Sequence, residues 1–123
     1  LAEISAGELI DKITILEIKK TKILNKVKLN DIEKELSTLN ETMEKSIPEP
    51  GKIKDLIAKL KEINLKLWDI EDGKRAAEKD KNFDEKFINL ARNVYKFNDE
   101  RAKIKLVINN TLGSNIREVK SYN

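Results

Sequence analysis

In the stretch KFNDERAKIKLVI, residues 96–108, Phe97, Ile104 and Ile108 keep a helical core spacing, and Arg101 occupies the slot between them. A guanidinium on an apolar stripe has two chemical uses. It can grip a planar anion, carboxylate or phosphate, through paired hydrogen bonds. It can also pair with a carboxylate of its own chain and fix how two helices dock. The chain has 21 Lys but only 4 Arg (Arg75, Arg92, Arg101 and Arg117) and is rich in Ile and Asn, the bias of an AT-rich genome. Against that background an Arg reads as kept for its planar fork, since Lys offers only a point charge.

Helical projection at 100° per residue places other polar residues on apolar stripes. On the first helix these are Lys20 and, at its edge, Glu17. On the third they are Asn64 and Glu71, followed by Lys74, Arg75 and Glu78. On the fourth, Asn98 and Lys105 flank Arg101. One reading is a polar pocket inside the bundle, where Arg101, Lys20, Lys105 and Asn98 hold a small anion and Glu71 or Glu17 supplies the acid/base group. The other is an ion network that sets helix register, as polar core positions do in coiled coils. Acids and cations nearly balance on these inner faces, whereas an anion site needs an excess of cations. The network is therefore favoured, with Glu71 or Glu17 expected as the carboxylate that meets Arg101.

Other chemistries are excluded or poorly supported. Cysteine and histidine are absent, which removes disulfides, thiol chemistry, the usual zinc ligand sets and histidine general-base catalysis. Asp69, Glu71 and Asp72 form an acidic group, but adjacent helical residues diverge by about 100°, so only a partner helix could complete a metal site there. No metal or cofactor is expected, and no catalytic residue is assigned. Trp68 reads as a half-buried packing residue. The net charge of +3 is spread through interleaved acids and bases, and no aromatic-interleaved basic strip is present, so nucleic acid is not an expected partner. No apolar run approaches the ~20 residues of a membrane span, so no membrane partner is expected. The first residues do not read as a signal peptide, and a cytoplasmic location is expected. The chain begins at Leu1 rather than methionine, so an upstream start is also expected.

The elements that must position these side chains are helical. Ser5 and Glu8 form a capping-box signal, and Leu9, Ile13, Leu16, Ile23 and Val27 follow at helical spacing. The next set, Leu29, Ile32, Leu36, Leu39 and Met43, lies about 200° out of phase with the first. That slip places a break at residues 28–30, with Asn30 and Glu33 as the second cap, or else bends one long helix. The segment SIPEPG, residues 46–51, is a loop. Leu56, Leu60, Ile63, Leu67 and Ile70 mark a third helix, and Phe83, Phe87, Leu90, Val94, Phe97, Ile104 and Ile108 a fourth, opened by Asn82 and closed by Gly113. The spacing predicts one domain, residues 1–123, with helices over about 6–27, 30–46, 52–79 and 83–112 and a polar tail over 114–123. No segment has a strand period. The expected fold is an all-α antiparallel bundle of three to four long helices with coiled-coil-like packing.

Two helices are apolar on a second side: Ile15 and Ile18 on the first, and Ile88, Tyr95, Ala102 and Leu106 on the fourth. Such a helix is either central in its bundle or faces another subunit. In so small a bundle the second option is favoured, and a homodimer through Ile15, Ile18, Ile88, Tyr95 and Leu106 is expected.

Four blocks, ISAGELIDKITILEIK, LKLWDIED, LARNVYKFNDERAKIK and LGSNIREVKSY, resemble in that order the blocks of a small uncharacterised bacterial family, a domain-of-unknown-function family. The likeness runs from Ile4 to Tyr122 and is weakest between Asn25 and Leu56. It points to Glu8, Asp11, Lys12, Glu17, Trp68, Glu71, Asn98, Asp99, Arg101, Lys105, Lys120 and Tyr122 as positions to watch. It also implies company with glycosyltransferase-like or cell-surface polysaccharide proteins. A looser similarity joins LIDKITILEIKK to the first helix of the all-α chorismate mutases, but the arginine with which those enzymes grip substrate is missing; Lys20 or Lys22 would have to replace it. The function expected is that of a helical, oligomeric interaction or accessory module linked to surface-polysaccharide synthesis. A small-anion-binding protein or enzyme is the alternative.

Overall fold

Ser5 Oγ accepts a hydrogen bond from the Glu8 amide at 3.2 Å and starts α1, Ala6–Lys22, as the capping-box pattern requires. The protein is described from a computed structural model at residues 2–47, 49–113 and 115–118. The remaining elements are β1 (Ala2–Ser5), α2 (Lys26–Ser46), a 3-10 turn (Pro50–Ile53), α3 (Lys54–Lys79), α4 (Glu85–Leu112) and β2 (Asn115–Glu118). The fold is an all-α helical bundle with one two-stranded ribbon at its chain ends.

The break between the first two helices falls at residues 23–25, not 28–30. Asn25 accepts from the amides of Val27 and Lys28 at 3.0 and 3.2 Å, so it provides the cap expected of Asn30. Starting α2 early adds a turn of backbone hydrogen bonds, but it leaves Val27, which the stripe had placed inward, 71% exposed.

At the other corner Asn82 does not cap α4. Its amide donates to Ala77 O, while the Lys81 amide donates to Glu78 O and Lys81 adopts φ 53°. Together these bonds form a Schellman closure of α3. The cap of α4 is Asp84, which accepts from the Phe87 amide at 3.3 Å. Asp84→Ala is therefore expected to cost about 1 kcal/mol in urea unfolding. Asn82→Ala should cost clearly less; the reverse order would return the cap to Asn82. Gly113 ends α4 in the left-handed region, φ 70°, as a C′ glycine does.

Helices α3 and α4 form an antiparallel hairpin: Gly73 lies beside Leu90, and Ile63 and Ile104 line a common groove. Helix α1 meets both arms. Gly7 lies against Lys105 and Asn109, Asp11 against Arg101 and Asn64, and Glu17 against Lys61. By that order α1 runs opposite to each of two helices that already run opposite to each other, so it must lie across them. Its other side carries Leu9, Ile13 and Leu16 into a core with Ile32, Leu36 and Leu39 of α2. Burying both sides of α1 makes it the central helix. Beyond the crossing, no third helix among the described residues covers the outer part of the hairpin, and Phe87, Leu90, Val94 and Phe97 are only half-buried.

Residues 115–118 are not part of a free polar tail. They pair antiparallel with β1, from Ala2 opposite Glu118 to Ser5 opposite Asn115. Four-residue strands about 110 positions apart carry no periodic signal. The close seat of Gly7 against the end of α4 brings the two flanks together.

Candidate functional site

Asp11, 2% exposed, is the centre of the inner polar group. Its Oδ1 accepts from Arg101 Nε at 2.9 Å and its Oδ2 from Arg101 Nη2, a two-pronged clamp. Asn64 Nδ2 donates to the same Oδ1 at 3.0 Å and to Thr14 Oγ1 at 2.8 Å. Thr14 in turn donates to the Asp11 carbonyl at 2.8 Å. Lys105 Nζ pairs with Glu8 and stands 4.0 Å from Asp11 Oδ2. Among the described residues no buried side-chain nitrogen or oxygen lacks a partner.

Burial by itself would push the Asp11 carboxyl upward. The hydrogen bonds from Arg101 and Asn64, with the charges of Arg101 and Lys105, outweigh it and hold the pKa below the ordinary 3.8. Arg101 is raised in turn, first by its hydrogen bond to Asp11. Two cations, Arg101 and Lys105, thus meet two carboxylates, Glu8 and Asp11. The group is neutral without a ligand and joins α1, α3 and α4.

Of the residues expected to form a site, only Arg101 and Lys105 come together. Glu17 pairs with Lys61 at 3.0 Å, and Glu71 lies 3.7 Å from Lys74 of its own helix. Neither meets Arg101; the expected partner is corrected to Asp11. Lys20 stands 3.9 Å from Glu33 in a groove of about 490 Å³ beside α2, where Glu41 and Glu44 also line the wall. That groove is acidic and does not suit an anion. Asn98 is exposed on the arm, and Trp68 is half-buried. Lys120 and Tyr122 lie outside the described residues.

From the sequence, Asp11 is marked only by family likeness, because the residue faces away from the Leu9, Ile13 and Leu16 stripe. The available signal was the second face itself: Asp11, Thr14 and Ile18 recur at helical spacing. Ile18 is 2% exposed, so it belongs to its own chain's interior and is removed from the expected dimer surface. Ile15 is half-buried. On α4 the second stripe is open: Ile88, Tyr95 and Leu106 are 46%, 76% and 58% exposed.

Among the described residues, no three acidic side chains gather as a metal site, and no helix is long and apolar enough to cross a membrane. A family model described as a family of unknown function (DUF6165) matches residues 1–123. No curated protein and no solved structure matches the chain.

Proposed function

The chain belongs to the DUF6165 family of unknown function along residues 1–123, and we propose that it is a non-enzymatic interaction module working as a symmetric homodimer. The reading is carried by the exposed stripe Ile88, Tyr95 and Leu106 on α4. Large apolar side chains aligned along one side of a helix signify a contact, whereas scattered ones need no explanation.

The occupant is a second copy because the stripe is self-complementary. Ile88 and Leu106 lie nine positions on either side of residue 97. A two-fold axis there sets Ile88 of one copy against Leu106 of the other in an antiparallel pair. It also brings Arg92 and Asp99, which share one flank of the stripe, within a turn of each other across the axis, twice. The alternative of an anion site inside the bundle gains nothing from the geometry, since its cations are already paired. The setting in surface-polysaccharide synthesis is part of the proposal and rests on the sequence resemblance.

Sedimentation equilibrium tests the dimer. The protein is expected to be dimeric at micromolar concentration and Tyr95→Glu monomeric. Arg92→Glu should weaken association about tenfold, and the reversed pair Arg92→Glu with Asp99→Arg should restore it. A wild-type chain that stays monomeric at high concentration would end this reading.

A further inference from the structure

We propose that the corner between α1 and α2 docks on an anionic lipid surface, with Leu24 and Val27 entering the interface and lysines around them meeting the headgroups. Leu24 is 90% exposed, the most exposed large apolar side chain among the described residues, and Val27 is 71% exposed. Between Ile18 and Asn30 the chain carries Lys19, Lys20, Lys22, Lys26 and Lys28 and no acid. Among the described residues only Lys20 has an ion-pair partner there, Glu33 at 3.9 Å.

Fold stability explains part of this corner and not the rest. Lys19, Lys20 and Lys22 sit in the last turn of α1, where cations suit the helix dipole. Lys26 and Lys28 occupy the first turn of α2, which has no acidic residue, so they face the positive end of a helix. A helix start selected for stability would carry Asp or Glu there. An exposed β-branched residue between them adds no packing either. Local choices that work against the fold, grouped around two bare aliphatic side chains, mark a surface kept for a partner.

The chemistry of that partner follows from the residue types. Lysines flanking two exposed aliphatic residues along the chain match an anionic interface, where long stems reach headgroups while the apolar tips enter the acyl boundary. A nucleic-acid site would add arginine forks or stacking aromatics to such lysines, and the corner has neither. This contact lies on the membrane surface and requires no spanning helix.

Co-sedimentation of the full chain with vesicles is the test. Binding is expected to phosphatidylcholine vesicles doped with phosphatidylglycerol, weakening as salt rises, and not to phosphatidylcholine alone. Leu24→Asp with Val27→Asp should reduce binding by about tenfold or more, while the urea midpoint does not fall, because both side chains are already in water and an acid suits the start of α2. Lys26→Glu with Lys28→Glu should abolish binding and leave the chain at least as stable. Absence of binding to the anionic vesicles at low salt overturns the proposal. So does binding indifferent to Leu24 and Val27, and so does a nonspecific duplex bound as tightly as the vesicles. The Tyr95→Glu monomer should still bind, so failure here and failure of the dimer are read separately.

Discussion

Arg101→Met is expected to destabilise the protein by about 3–5 kcal/mol, seen as a lower urea midpoint with an unchanged slope. Methionine refills much of the stem volume, so the loss is that of the charge. It leaves the Asp11 carboxylate, 2% exposed, with Asn64 and a lysine 4.0 Å away. The reverse change should be milder, because the Arg101 side chain is 29% exposed and can turn to water. Asp11→Asn is accordingly expected to cost about 1–3 kcal/mol. Removing both charges, Asp11→Leu with Arg101→Met, should cost less than Arg101→Met alone, because no buried charge is then left unpaired. A single-variant loss below about 1 kcal/mol would mean that the clamp contributes as little as a surface pair.

The same pair sets a pH dependence with a definite sign. Asp11 is held below its ordinary 3.8, so the native state favours the carboxylate. The stabilisation is complete above that value and is lost as pH falls through the lowered native one. Arg101→Met removes the strongest influence that lowers the Asp11 pKa, so that pKa rises from its wild-type position. The variant should then regain stability relative to the wild type on acidification. Urea midpoints measured from neutral pH down to the acid limit check this, and parallel curves would count against it.

Gly7→Ala is expected to cost about 1–3 kcal/mol, although alanine is the better helix former by about 1 kcal/mol. A Cβ at residue 7 would stand 2.5 Å from the Lys105 carbonyl oxygen and 3.0 Å from Asn109 Oδ1. The nearer atom is helix backbone and cannot swing aside, so α1 must withdraw from α4. Withdrawal stretches the Gly7 N–H bond to Asn109 Oδ1, now 2.6 Å, and pulls on the Glu8–Lys105 and Asp11–Arg101 pairs. Gly51→Ala is the control: its Cβ meets nothing within 4 Å, and its midpoint should hardly move. Equal effects at the two glycines would show that chain entropy, and not close approach, governs residue 7.

Arg101 and Asp11 show where reading from sequence stops. Arg101 was visible because it interrupts the Phe97, Ile104 and Ile108 stripe, and one helix's own phase exposes such an interruption. Asp11 interrupts nothing on the Leu9, Ile13 and Leu16 face. Its burial depends on a second partner reaching the back of α1. The same step decided Ile18 and Tyr95, both on second stripes by phase. The crossing of α1 buries the first, and the uncovered arm leaves the second in water. Caps were legible as residue types and less so as positions: Asn25 and Asn30, or Asn82 and Asp84, have equivalent side chains, and a shift of a few residues changes only which backbone groups they meet.

The amino-acid sequence by itself determined three to four helical segments, the Ser5 start, the Gly113 stop and an arginine on an apolar stripe that needs an anionic partner, because these depend on contacts within a few residues. The tertiary structure alone decided that α1 lies across the α3–α4 hairpin, that Asp11 is the carboxylate, and that two short strands close the ends. Crossing angles and strand partners arise from contacts between residues about 50 to 115 positions apart, and helical phase along one segment carries no information about them.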